Sequence, residues 1–122
     1  MQKRCRVLIA DDNDRARNGL RALLAMGQEI EIVGEAADGR QAVQMAREYQ
    51  PDVVLMDARM PQMDGLEAPR RIKARWPEVR VIMVSMYVTR RAQALAAGAD
   101  GFLSKGCRVE ELLEAILGCQ SG

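Results

Sequence analysis

Apolar residues in this chain come in short runs that alternate with amphipathic stretches, five times over. Arg6 to Ala10 is a compact apolar run that suits a buried strand. Asp14 to Met26 then carries Ala16, Leu20, Leu23 and Leu24 at helical spacing, and Gly27 stands where a helix would stop. Glu31 to Ala36 reads as a second, weaker strand. Arg40 to Tyr49 reads as a helix with Ala42, Val43 and Ala46 on one face, ended by Pro51. Val53 to Met56 is the most apolar strand. Leu66 to Trp76 predicts a third helix closed by Pro77, yet Pro69 lies inside it, where a proline costs about 3 kcal/mol. Either that helix starts near Ala68 or it is kinked there. Val79 to Val84 predicts a fourth strand, Arg90 to Ala97 a fourth helix capped by Gly98, and Gly101 to Leu103 a fifth strand. Val109 to Leu117 closes the series as a helix with Leu112, Leu113, Ile116 and Leu117 on its apolar face.

Five strand–helix units in strict alternation predict an α/β domain, a parallel sheet with helices on both faces. Right-handed crossovers make the doubly wound arrangement the economical one. Ligands of such sheets bind beyond the carboxyl ends of the strands. The polar residues at those ends are therefore the candidates for chemistry. The first strand runs into Asp11 and Asp12, the third ends at Asp57, the fourth at Ser85, and the fifth at Ser104 and Lys105.

Such a cluster has an electrostatic problem. Two carboxylates about 4 Å apart repel by roughly 4 kcal/mol at an effective dielectric near 20. Lys105 supplies one positive charge, and a hard divalent cation would supply the rest. An all-oxygen donor set suits Mg2+. Metal, Lys105 and the Ser85 hydroxyl could then neutralise charge on a transferring phosphoryl group, with Asp57 as the attacking carboxylate.

Composition removes several alternatives. The chain has 122 residues, enough for one domain. Its 18 basic and 17 acidic residues leave no basic footprint for nucleic acid. There is no His, so His-based catalysis and His metal ligands are excluded. Cys5, Cys107 and Cys119 are odd in number and lack Cys-x-x-Cys spacing, which argues against a disulfide framework or a zinc site. All three are read as inert thiols. The apolar runs fall far short of a membrane span, and no secretory signal is legible, so a cytoplasmic protein without membrane contact is expected.

The run Val-Leu-Ile-Ala-Asp-Asp, the run Asp-Val-Val-Leu-Met-Asp-Ala-Arg-Met-Pro-Gln-Met-Asp-Gly, Ser85 and Lys105 resemble the receiver domains of bacterial two-component response regulators. The resemblance covers essentially the whole chain. It implies a flavodoxin-like, CheY-like sheet in the order 2-1-3-4-5 with five helices. It implies Asp57 as phosphoacceptor and Mg2+ ligand, Asp12 as direct Mg2+ ligand and Asp11 as the carboxylate that holds the metal through water. The backbone carbonyl of Arg59 would be a further protein ligand. Ser85 would bond the phosphoryl group and move on activation, and Phe102 would be the aromatic switch residue. Pro61 and Gly65 match the turn that leads from the acceptor into the third helix.

Several positions depart from the common pattern. Met86 follows Ser85 where many receivers carry Ala, and this resembles the LuxR/NarL-type regulators, as do the Gly-Ala-Asp-Gly-Phe-Leu-Ser-Lys-Gly run and Glu-Glu-Leu. With Tyr87 and Arg59, Met86 would flank the site and slow the entry of water. Gly106 replaces the proline that often follows the lysine, where the bond is cis. Without proline a cis bond costs about 3 kcal/mol. A trans Lys105–Gly106 bond is expected, with Gly106 supplying unusual backbone angles. The segment from Ser85 to Lys105 is also about two residues shorter than the family pattern leads one to expect, the loss falling before Arg90.

The resemblance implies a sensor histidine kinase as phosphodonor, dimerisation on phosphorylation, and DNA contact only through a C-terminal domain absent from this chain. Residues 1–118 are expected to be the receiver and 119–122 a tail or the start of a linker, with a stand-alone receiver as the alternative. A switch rather than a turnover enzyme is expected. Two other readings remain. One is a receiver-fold module that never needs phosphate. The other is a phosphatase of the haloacid-dehalogenase type, against which stands Arg59 where such enzymes carry a second Asp.

Overall fold

The computed structural model describes residues 4–25, 29–57, 67–86 and 91–118. Strands and helices alternate throughout: β1 (Cys5–Ala10), α1 (Asp14–Ala25), β2 (Ile30–Ala36), α2 (Gly39–Tyr49), β3 (Val53–Asp57), α3 (Glu67–Arg75), β4 (Arg80–Ser85), α4 (Arg91–Ala96), β5 (Gly101–Ser104) and α5 (Val109–Leu117). All strand pairs are parallel, in the order β2-β1-β3-β4-β5. The expected doubly wound sheet is therefore present, in the expected order.

Strand parity divides the core in two. Cys5, Val7, Ile9, Val53, Leu55 and Ile82 point to one face, where they pack with Leu24 of α1 and with Leu112 and Ile116 of α5. Leu8, Ala10, Val54, Met56, Val81 and Met83 point to the other, against Ala42 and Ala46 of α2, Ala68 and Ile72 of α3, and Ala94 of α4. Side chains on successive strand residues face opposite ways, so apolar runs without alternation are what a sheet covered on both faces requires.

Local signals set the helix ends. Asn13 caps α1, its side-chain oxygen accepting the Ala16 N–H at 3.1 Å. Asp38 caps α2 through the Gln41 N–H at 2.8 Å. That helix ends on Gln50, which is left-handed at φ 46°, directly before Pro51, a residue that disfavours helix in its predecessor. Gly98, at φ 103°, closes α4 as expected. Pro69 is the third residue of α3 as described and is buried, so the helix accommodates it in its first described turn. Gly27 and Leu66 lie outside the described residues.

The face assigned to α1 needs correction. Leu24 is fully buried, but Leu20 is half-buried and Leu23 is 39% exposed. The reason is a cavity of about 230 Å³ between α1 and α5, lined by Ala16, Gly19, Leu20, Leu23, Val84 and Leu112 among others. On α5, Leu112 and Ile116 are buried while Leu113 and Leu117 are half-buried.

Lys73 fastens the sheet end opposite the candidate site. Its ammonium donates to the carbonyls of Pro77 and Val79, both at 2.9 Å, and pairs with Asp100 at 3.0 Å. Asp100 also accepts the Val81 N–H at 2.8 Å. One lysine thus joins the end of α3, the start of β4 and the turn before β5.

Candidate functional site

Register brings the acidic residues together. Ala10 of β1 pairs with Met56 of β3, so Asp11 and Asp57 are the next residues on adjacent strands. Asp57 pairs with Val84 of β4, which puts Ser85 one step further along the neighbouring strand, opposite Ser104 of β5. The Lys105 N–H donates to the Ser85 carbonyl at 2.9 Å, carrying the ladder past the end of β5. Backbone pairing alone thus gathers residues 11, 57, 85 and 105 at the carboxyl ends of four strands.

The side chains converge as well. Lys105 donates to Asp11 Oδ2 at 3.1 Å and to Asp57 Oδ2 at 3.2 Å. Carboxylate oxygens of Asp11, Asp12 and Asp57 all lie within 4.8 Å of one another. Asp11 is 2% exposed and Asp57 7%, whereas Asp12 is open to solvent. Asp11 accepts the Asn13 N–H on its other oxygen at 2.9 Å. Among the described residues, Asp12 takes part in no ion pair.

Burial works against the charge on Lys105, but the Asp11 hydrogen bond outweighs it together with the charge of Asp57. The net result is an ammonium held more firmly than that of a free lysine. One ammonium, paired with two of the three carboxylates, leaves the cluster with excess negative charge and an all-oxygen donor set. That combination fits a hard divalent cation such as Mg2+.

Of the remaining candidates, Ser85 is buried at 1% exposure, and Met86 beside it is 70% exposed. Phe102 is half-buried and packs on the core face shared with α2, α3 and α4. It also lines a surface depression of about 330 Å³ with Arg91, Ser104, Gly106, Cys107 and Glu111. Arg59, Pro61, Gly65 and Tyr87 lie outside the described residues, as does the region before Arg90 where a shortening was expected.

Gly106 meets one expectation, the trans bond, and corrects another, the unusual backbone angles. The structure contains no cis peptide bond among the described residues, and Gly98 is the one described glycine with positive φ. Lys105–Gly106 is trans, and Gly106 needs no left-handed conformation. The thiols of Cys5 and Cys107 are both pushed above the ordinary range, that of Cys5 to about 11, chiefly by burial, so neither is activated. Cys119 lies outside the described residues.

Residues 7–117 match the family described as response regulator receiver domain. The chain belongs to that family. Among its curated relatives, this receiver is 38% identical over 120 residues to the transcriptional regulatory protein DegU of Brevibacillus brevis, a match that covers 94% of this chain and 50% of DegU. It is 40% identical over 116 residues to the response regulator GacA of Pseudomonas aeruginosa, covering 91% of this chain and 53% of GacA. The receiver therefore spans about half the length of these relatives. Among solved structures, the receiver domain of the putative response regulator NarL from Mycobacterium tuberculosis superposes with a TM-score of 0.91 at 34% identity, covering 98% of both chains. A CheY from Borrelia burgdorferi, solved in a complex with CheX, BeF3 and Mg2+, superposes at 0.84 with 28% identity, covering 93% of this chain and 87% of that one. Among the described residues of the receiver, no helix is long and apolar enough to cross a membrane.

Sequence reasoning missed Arg17. Its guanidinium donates to the Asp11 carbonyl at 2.5 Å. The available signal was its place one turn into the helix that follows the acidic pair, where a long cationic side chain can reach back to the loop.

Proposed function

We propose that this receiver is the phosphoryl-accepting switch of a two-component system, with Asp57 as the acceptor. The observation that carries the reading is Lys105 bridging Asp11 and Asp57 at 3.1 and 3.2 Å, within a cluster of three carboxylates at the carboxyl ends of the strands. Asp12, exposed and without an ion pair among the described residues, would be the direct Mg2+ ligand. Asp11, whose oxygens already accept from Asn13 and Lys105, would hold the metal through water. The carbonyl of Arg59 is proposed as a further ligand. Bound Mg2+ would neutralise charge on the transferring phosphoryl oxygens.

The chain's own groups account for the remainder. An Asp57 oxygen forms a bond to phosphorus, and the bond between phosphorus and the donor breaks, its electron pair leaving with the donor. For a phosphohistidine of a sensor kinase that bond is P–N; for acetyl phosphate it is P–O. Lys105 offers a fixed positive charge to the phosphoryl group, and Ser85 a hydroxyl from the adjacent strand. Phe102 is proposed to follow Ser85, since its ring lies between the core and the depression beside Arg91. Met86, with Tyr87, would restrict access of water. The product is a modified protein rather than a released one, so the receiver acts as a switch and not as a turnover enzyme.

The relatives named regulatory proteins are about twice as long as this receiver. Control of a DNA-binding output domain, and dimerisation on phosphorylation, are proposed on that likeness. A cytoplasmic setting and a division into a receiver at 1–118 and a tail or linker at 119–122 are proposed with them.

The test is incubation with Mg2+ and acetyl phosphate, followed by intact mass. One added phosphate, absent in Asp57→Asn, is the expected result. No addition would favour a phosphate-independent module, and steady release of inorganic phosphate would favour a phosphatase.

A further inference from the structure

The peptide that joins Asp11 to Asp12 is held from several directions. The Asp11 N–H donates to the Ala36 carbonyl of β2 at 2.9 Å. Its carboxylate accepts from the Asn13 N–H at 2.9 Å and from Lys105 at 3.1 Å. Its carbonyl accepts from Arg17 Nη1 at 2.5 Å. The Arg17 side chain is only 16% exposed, and the rest of its guanidinium is committed too. Nη2 pairs with Asp14, and Nε stands 3.5 Å from Glu35 Oε1 near the end of β2. Glu35 is itself steadied by Arg21 at 3.1 Å. One planar fork therefore spans the loop after β1, the first turn of α1, and β2.

Asp12 has no such support. It is exposed, and among the described residues it makes no ion pair. A carboxylate oxygen of Asp12 lies within 4.8 Å of those of Asp11 and Asp57, so where its Cα sits decides whether it can reach a shared cation. The carbonyl of Asp11 and the nitrogen of Asp12 share one rigid peptide plane. Holding that carbonyl oxygen restrains the plane, and with it the positions of the Asp12 nitrogen and Cα from which its side chain leaves the chain.

We infer that Arg17 is a positioning residue for the metal site, orienting Asp12 by holding the Asp11 carbonyl. The inference rests on the Mg2+ reading of the acidic cluster. It makes a prediction opposite in sign to simple electrostatics. Arg17 is a cation near three carboxylates, so charge alone would have its removal tighten Mg2+ binding. Loss of orientation weakens binding instead, and outer partners of metal ligands are typically worth about 10- to 100-fold in affinity. A purely structural arginine would lower the melting temperature and leave affinity where it was.

The experiment is calorimetric titration of Mg2+ into wild type, Asp12→Asn, Arg17→Met and Arg17→Lys, with Tm measured on each. Arg17→Met is expected to raise the Mg2+ Kd about tenfold. Arg17→Lys keeps the charge but replaces the fork by one ammonium, and its Kd is expected between the two. An unchanged or lower Kd in Arg17→Met, whatever its Tm, overturns the inference. If Arg17→Met does not fold, Arg17→Lys decides alone: a raised Kd supports the inference and an unchanged one overturns it. Failure of the parent reading looks different, because wild type would then take up no Mg2+ or Asp12→Asn would bind it as well as wild type.

Discussion

Lys105 Nζ stands 3.2 Å from Asp57 Oδ2 across 48 positions of sequence, and the same ammonium reaches Asp11. Two nearly buried carboxylates thus share one cation, and Asp12 adds a third negative charge beside them. Removing the lysine leaves that charge uncompensated. Lys105→Met is expected to lower stability by about 2 kcal/mol in EDTA, the scale of a charged hydrogen bond lost in a buried setting. Mg2+ should narrow the gap, since carboxylates no longer neutralised by the lysine bind the cation more tightly and a ligand of the folded state stabilises it in proportion to its affinity. Urea unfolding with and without Mg2+ measures both effects, and an equal gap in the two would sink the account.

The sign of the pH dependence follows from the same contact. Lys105 is held above its ordinary pKa once the carboxylates outweigh burial. A group raised on folding contributes fully below its unfolded value, about 10.4 for lysine, and its contribution fades as pH rises through the higher folded value. In EDTA, wild type should therefore lose stability above about pH 10.4 more steeply than Lys105→Met does. Parallel unfolding curves against pH in the two proteins would contradict this.

Lys73 and Asp100 make a structural prediction away from the site. Asp100→Ala removes an ion pair at 3.0 Å and leaves the Val81 N–H without its carboxylate partner. A loss of about 2 kcal/mol is expected, with Mg2+ affinity unchanged. Gly98→Ala should cost about 1 kcal/mol or more, because φ 103° strains any residue with a Cβ, and Lys73 Cγ would lie 3.4 Å from that atom. Chemical denaturation together with Mg2+ titration separates these from site variants.

The parts of this fold legible in the sequence were those governed by apolar period and turn residues. The ten elements, the parallel sheet and the convergence of Asp11, Asp57, Ser85 and Lys105 followed from strands that end in polar residues. The strands nevertheless run one residue further than their apolar runs at Asp57, Ser85 and Ser104. Ladder bonds are made by backbone, and polarity does not stop them. The apolar run places Val79 in the fourth strand, but it lies in a turn, its N–H donating to the Trp76 carbonyl at 2.9 Å. Helical period places Leu23 with the core, yet it is 39% exposed, because period cannot say how closely α5 approaches α1. Arg17 and Lys73 were invisible for a related reason: long cationic side chains carry no period, and their partners lie on other elements.

Gly106 tests whether glycine is required after Lys105. Among the described residues a Cβ there meets only Ser104 Oγ, at 3.8 Å, and φ is not positive. Gly106→Ala should therefore stay within about 0.5 kcal/mol of wild type, as surface substitutions do. A loss well beyond that in urea unfolding would mean that glycine is needed for a reason the backbone does not reveal.

Met86 offers the sharpest test of the chemistry after phosphorylation. It is 70% exposed and follows Ser85, which is almost wholly buried. The boundary between solvent and site thus falls between consecutive residues. A long thioether at that boundary can lie across the approach to Asp57, and an alanine cannot. If water must pass Met86 to reach the acyl phosphate, Met86→Ala should lose phosphate faster, by up to about tenfold, which corresponds to about 1.4 kcal/mol of barrier. An exposed Met contributes little to the core, so the fold should be undisturbed and Mg2+ affinity unaltered. The measurement is the decay of the phosphorylated mass after removal of acetyl phosphate. Asp57→Asn serves as the blank, and Met86→Leu restores bulk without sulfur. Slow decay in the Leu variant and fast decay in the Ala variant would assign the effect to bulk, whereas equal rates in all three phosphorylated proteins would remove Met86 from the path of water.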